Sequence, residues 1–312
     1  MKHRDAFSSC HPVVNLAYFA LVLLFSMCWM HPVCLAISLV GATAFALSLR
    51  GKRAVLSMFG ILMPMALLAA VINPAFNHRG VTILAYLPSG NPLTLESILF
   101  GLASAVMLTT VLLWFSCVTT VMTSDKWVYL FGRILPALSL VLSMTLRFVP
   151  KFRQQFQLVQ DSRCCAGRDT DSGSLLRRIR NLVTVFSIMV TWSLENAIET
   201  ADSMKSRGYG LPGRTAFSIY RLDGRDQGLL VWLSVCGLYL GSGWLLGTLD
   251  WRYYPNLKGE PITPLTVSFW IVYLVLCLTP VILNASEDRR WEKLRRSIKS
   301  TEMEVPNETS TL

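Results

Sequence analysis

Two stretches of this chain end a run of helical periodicity at an arginine. Gln160-Asp161-Ser162-Arg163 closes the first, and Met204-Lys205-Ser206-Arg207-Gly208-Tyr209 closes the second. A small residue, an arginine and a glycine in that order stop a helix, turn the backbone at the glycine, and present a planar five-donor guanidinium beyond the tip. Such a group suits recognition of carboxylates in a partner's groove. Interfacial helices also carry snorkelling arginines, but attraction to lipid does not require the same ending twice. The first ending is irregular. Cys164 follows Arg163 where the second has Gly208, and Ala166-Gly167-Arg168 comes after as a scrambled copy. The helix therefore ends either at Arg163, with Cys164 in the turn, or beyond Cys165 at Gly167, with Arg168 as the contact.

Other chemistry is sparse. There is no GxxxxGK[ST] phosphate loop, so ATP hydrolysis falls to another chain. The histidines are His3, His11, His31 and His78, and none pairs with a nucleophile in an apolar run; Gly241-Ser242-Gly243 has no histidine near it in sequence. Neither an enzyme nor a cofactor is expected. His78 beside Asn77 has the chemistry of a metal ligand, but a lone loop histidine is more often a turn residue. The eight cysteines include no CxxC and lie mostly in apolar runs, where they act as small hydrophobes. The vicinal pair Cys164/Cys165 is the exception, set in a polar, basic stretch. Acidic residues that relay protons or bind cations in self-sufficient carriers are missing from the apolar runs.

The elements that must position the two arginines are long amphipathic helices. From Leu175 to Ser206, Leu175, Leu176, Ile179, Leu182, Val183, Phe186, Met189, Val190, Leu194, Ile198 and Ala201 recur at helical spacing, with Arg177, Arg178, Arg180, Asn181, Glu195, Glu199 and Asp202 between them. Such a helix reaches nearly 50 Å, at ~1.5 Å per residue. Ser172 or Ser174 caps its start, and Lys205, Arg207 and Gly208 suit its end. A preceding helix over about Leu140 to Arg163 carries Arg147, Lys151 and Arg153 among Phe148, Phe152, Phe156, Leu158 and Val159, and Pro150 must start or kink a helix there.

Around this basic segment the chain is too apolar for a soluble core: 53% of its 312 residues are hydrophobic and 15% charged. A bilayer is the expected solvent. Six crossings follow from the apolar runs, at about Val13–Met30, from His31-Pro32 to Leu49, Ala54–Ile72, Ser97–Val121, Gly228–Gly247 and Pro264–Leu283. The first is read as uncleaved, because a second apolar run follows with no polar mature domain. With both termini cytoplasmic in the cytoplasmic (inner) membrane, only Arg79, Arg252 and Lys258 fall outside, as the positive-inside rule requires. The net charge of +10 then needs no nucleic acid. Trp127 to Leu146, broken by Arg133 and Pro136, is either an interfacial helix, the preferred reading, or a poorly formed seventh span. The predicted organisation is all-α: transmembrane helices 1–4 over 1–126, a coupling region over 127–226, helices 5–6 over 227–285, and over 286–312 a basic lipid-touching helix followed by a disordered end.

The sequence resembles the transmembrane T component of energy-coupling factor transporters, the cobalt-transport CbiQ-like family. The likeness covers about Asn73 to Asp226. It rests on Asn73-Pro74-Ala75-Phe76-Asn77-His78-Arg79-Gly80, on Pro92-Leu93-Thr94-Leu95-Glu96, on Arg147-Phe148-Val149-Pro150, and on Ser206-Arg207-Gly208 at the second Ala-Arg-Gly signature of the family. The resemblance implies a non-catalytic, energy-coupling subunit of an ATP-driven importer for a vitamin or a transition-metal ion. Two ABC-type ATPase subunits would dock on Ser162, Arg163, Ser206, Arg207 and Gly208. A small membrane substrate-binding subunit would lie on an apolar face that includes Leu182, Phe186, Met189 and Val190. Arg163 is preferred over Arg168, because Gln160-Asp161-Ser162 keeps the family's polar approach and Asp169 and Asp171 read as a solvated loop. The alternative function is a membrane-anchored adaptor whose basic helices bind anionic lipid or a soluble regulator.

Overall fold

The computed structural model describes residues 5–77, 80–86, 92–134, 136–167, 175–211, 220–259 and 261–304. They form α1 (Pro12–Cys28), α2 (Pro32–Phe76), α3 (Leu95–Val121), α4 (Ser124–Ile134), α5 (Pro136–Cys165), α6 (Leu175–Ser206), α7 (Gly224–Leu245) and α8 (Pro264–Glu304). Two short antiparallel strand pairs join them, β1 (Ile83–Tyr86) with β2 (Pro92–Thr94) and β3 (Trp251–Arg252) with β4 (Lys258–Gly259). The protein is all-α and polytopic. It divides into two compact units, one comprising Met1–Thr123 and Tyr220–Leu312, the other Ser124–Ile219.

In the first unit, five helical segments are long and apolar enough to cross a bilayer: Pro32–Arg53, Val55–Phe76, Leu95–Val121, Gly224–Leu245 and Pro264–Ser297. The apolar α1, with 17 residues, stands at the short limit for a crossing. Both α1 and the first arm of α2 start alike. A histidine caps the helix through Nδ1, His11 accepting from Val13 N and His31 from Val33 N, and a proline follows in the first turn, where its missing N–H is harmless. The two arms of α2 meet at Gly51, whose φ of +78° suits a residue without Cβ. Arg50 ties this break to α3, donating to the Ser116 carbonyl at 3.1 Å and to Thr120 Oγ1 at 2.8 Å. Phe7, Tyr18, Phe19, Phe45 and Trp114 form the aromatic core, with Trp114 Nε1 donating to Ser38 Oγ at 3.1 Å.

The ends of these helices sort onto two sides. On one side Tyr253 donates to the Met30 carbonyl at 2.8 Å, Asn77 Nδ2 donates to the Tyr254 hydroxyl at 3.1 Å, and His31 packs on Trp251 and Trp270. Buried Glu96 accepts there from Thr82 Oγ1 at 2.8 Å. On the other side the Phe7 N–H donates to Asn284 Oδ1 and the His11 N–H to Asp226 Oδ2, while Arg225 pairs with Glu287. The ends of α1 and of the five long apolar segments thus alternate between the two sides. Past its apolar part α8 stays helical to Glu304, with Arg289, Arg290, Lys293, Arg295 and Arg296 exposed. The expected disordered end past Glu304 lies outside the described residues.

The second unit holds α4, α5 and α6. Residues 127–146 form no single rod. α4 ends at Ile134, α5 begins at Pro136, and Ser139 Oγ donates back to the Val128 carbonyl at 3.0 Å across the turn. No apolar span long enough to cross a membrane includes this stretch among the described residues. α5 continues through Pro150, where the sequence suggested a start or kink; the ring denies the Leu146 carbonyl its helical donor. α5 and α6 pack antiparallel. Phe148 stacks on Trp192 with centroids 5.6 Å apart, Lys151 lies over the same indole and bonds Asn196, and further along Arg163 reaches Asn181.

Candidate functional site

Residue by residue, the end of α6 is a Schellman cap. Gly208 has φ of +80°, its N–H bonds the Lys205 carbonyl at 3.0 Å, and the Tyr209 N–H bonds the Met204 carbonyl at 3.0 Å. Arg207 is the last residue before the glycine and its side chain is exposed. Ser206 turns its hydroxyl onto the Ser203 carbonyl at 2.9 Å, so the serine closes its own helix and leaves recognition to the guanidinium.

At the end of α5 Gly167 takes the place that Gly208 has at the end of α6. Its φ is +72°, its N–H bonds the Cys164 carbonyl at 3.0 Å, and the Ala166 N–H bonds the Ser162 carbonyl at 3.2 Å. Cys164 and Cys165 are helical. The expectation that Cys164 occupies the turn is therefore corrected: glycine adopts positive φ without the Cβ penalty that cysteine would meet, so the helix runs on to the first glycine available. In cap register Gly167 matches Gly208 and Ala166 matches Arg207. Arg163 lies a turn earlier, matching Met204. It is half-buried, with Nη2 at 3.4 Å from Asn181 Oδ1 and Nε enclosed without an acceptor among the described residues. Ser162 Oγ bonds the Leu158 carbonyl at 2.7 Å. Arg168, one residue past the glycine, lies outside the described residues, as do Ser172, Ser174 and His78.

Because the helices are antiparallel, the two tips point to opposite ends of the pair. From Asn181, beside Arg163, the helix rises about 40 Å to Arg207. One small partner cannot hold both.

The apolar residues of α6 divide between two faces. Val185 and Met189 are buried, Met189 to 1% exposure, and Asn181, Trp192 and Asn196 on the same side are half-buried against α5. Leu182 (49%), Phe186 (68%) and Val190 (41%) stand on the open side. Met189 thus supports the helix from within and is not part of the exposed face. Ile179, Leu194 and Ile198 extend that face instead, at 58%, 62% and 65% exposure. Their spacing of three or four residues was visible in the periodicity, which did not separate the faces.

These helices are embedded in a chain that carries a wider signature. A family model described as CbiQ, cobalt transport protein, matches residues 7–217. The chain belongs to the CbiQ family. Over 104 residues this CbiQ-family chain is 30% identical to the energy-coupling factor transporter transmembrane protein EcfT of Lactococcus lactis subsp. cremoris, a match covering 33% of the chain and 39% of that protein. The corresponding protein of Clostridium kluyveri is 29% identical over 115 residues, 36% of the chain and 41% of the relative. An uncharacterized protein of Mycoplasma genitalium, MG181, is 24% identical over 201 residues, 56% of the chain and 46% of its own length. The chain thus spans less than half the length of each of these relatives.

Proposed function

We propose that this CbiQ-family chain is the energy-coupling transmembrane subunit of an ATP-driven importer for a vitamin or a transition-metal ion. It would transmit movement between two ABC-type ATPase subunits and a small membrane subunit that binds the solute. The observation that carries the reading is the antiparallel α5–α6 pair, with a glycine cap at each end and Arg207 exposed at one tip. Tips about 40 Å apart suit two separate ATPase subunits. A rigid helix moves its far end when its near end is pushed. No phosphate loop occurs in the sequence, so this chain would relay the energy of hydrolysis performed elsewhere.

The side of the first unit that bears Arg50, Lys52, Arg53, Arg225 and the basic turns of α8 would face the cytoplasm, by the positive-inside rule; Arg252 and Lys258 lie toward the other side. At the α6 tip, Arg207 with Ser206 and Gly208 would form the ATPase contact. At the α5 tip the contact would be Arg163 or Arg168, and the engagement of Arg163 with Asn181 favours Arg168. The exposed stripe of Leu182, Phe186 and Val190, lengthened by Ile179, Leu194 and Ile198, would receive the solute-binding subunit. Expression with candidate ATPase and solute-binding subunits tests the whole. Co-purification and ATP-dependent uptake support it. A chain that isolates alone and binds anionic liposomes in a salt-sensitive way is the adaptor of the alternative reading.

A further inference from the structure

Cysteine chemistry in this chain concentrates at one place. Cys10, Cys34, Cys117, Cys236 and Cys277 are buried, and Cys28, though exposed, lies in the apolar α1. Burial pushes the Cys10 thiol up to about 11, which removes the reactive thiolate at neutral pH. Cys164 and Cys165 are both exposed, adjacent in sequence, and set in the last turn of α5. Cys164 also contributes its carbonyl to the cap, accepting from the Gly167 N–H.

We propose that Cys164 and Cys165 form a dithiol modification site whose oxidation to a vicinal disulfide by a low-molecular-weight disulfide opens the last turn of α5. The thiolate of one cysteine attacks the reagent, giving a mixed disulfide and releasing one thiol. The second thiolate attacks the protein-bound sulfur of that adduct, closing an internal S–S bond and releasing the second thiol. The chain loses two electrons and two protons, and the reagent is reduced to two thiols. The geometry supplies the consequence. Neighbouring Cα atoms are held about 3.8 Å apart by the trans peptide, below the roughly 4.4–6.8 Å that a relaxed disulfide needs, and successive side chains diverge by about 100° around a helix. The ring cannot close while both residues keep helical backbone angles. Closing it breaks the bonds from Ala166 N–H to Ser162 and from Gly167 N–H to Cys164 that end the helix. A strained, exposed disulfide of this kind is readily reduced again, so the change is reversible. Its effect on transport rests on the importer reading; the change in the helix end does not.

The test uses the purified full chain in detergent, incubated with excess oxidised glutathione. Peptide mapping should find an internal disulfide joining Cys164 and Cys165. Tryptic cleavage after Arg163 should accelerate about tenfold, because cleavage follows the population of the opened turn. Dithiothreitol should reverse both effects. Cys164→Ser and Cys165→Ser should form at most mixed disulfides and keep the slow cleavage of the reduced chain. The proposal is overturned if no internal disulfide forms, or if it forms and cleavage after Arg163 stays unchanged. Since partner subunits are absent from the assay, neither result bears on whether the chain couples transport.

Discussion

At the tip of α6 the arginine is the residue before the glycine and stands exposed. At the tip of α5 that place belongs to Ala166, and Arg163 sits a turn back with its guanidinium on Asn181. Both helices reach a positive-φ glycine whose N–H bonds the carbonyl three residues back, and the arginines differ in their register to it. An arginine before a positive-φ glycine is carried past the helix end, whereas one at the preceding turn folds onto the neighbouring helix. Two helix ends that both reach a glycine thus leave one arginine facing outward and hold the other within the pair.

The comparison is broken most directly at Arg207. Arg207→Ala should weaken ATPase-subunit capture about tenfold to a hundredfold, the size expected for a charge-assisted hydrogen bond of ~1.5–3 kcal/mol. Pull-down titration measures it, and unchanged capture would remove this arginine from the contact. Arg168→Ala should show a loss approaching that of Arg207→Ala, with Arg163→Ala changing capture less than about fivefold, since a half-exposed bond contributes under about 1 kcal/mol. Uptake and capture assays on the two variants decide between them. The reverse order would restore Arg163 as the contact despite its place within the hairpin.

Gly208→Val tests the cap itself. Positive φ costs a side chain about 1 kcal/mol, and a Cβ there would lie 3.2 Å from Leu211 Cδ1. Capture should fall about fivefold while helix content by circular dichroism stays the same. The smallest effect is expected for Asn181→Ala, which releases Arg163. The melting temperature should shift by no more than about 3 °C. A larger shift would mean that the Arg163–Asn181 bond holds the antiparallel pair together.

Much of this was legible in the residues. The helix over Leu175 to Ser206 was readable from its period and from Gly208, and the structure places α6 at those bounds. The apolar runs fixed the crossings and their alternation because crossing a bilayer is a property of local hydropathy and length. The break at Gly51 was marked as well, because Arg50, Lys52 and Arg53 interrupt the apolar run between Leu49 and Ala54. Within the coupling region local signals gave less. Whether α5 ended at Cys164 or Gly167 turned on a competition between two possible caps, and Pro150, read as a start or a kink, lies inside a helix that begins at Pro136. Leu182, Phe186, Met189 and Val190 share an apolar period, but which of them face inward depends on where Phe148 and Lys151 meet Trp192 on the opposing helix. Sequence by itself determined that there are membrane crossings, long amphipathic helices and an arginine before a glycine, each set by neighbours within a few turns. Tertiary structure decided that the tips oppose one another and that one arginine is retained inside the pair, because antiparallel packing brings together residues that no local pattern relates.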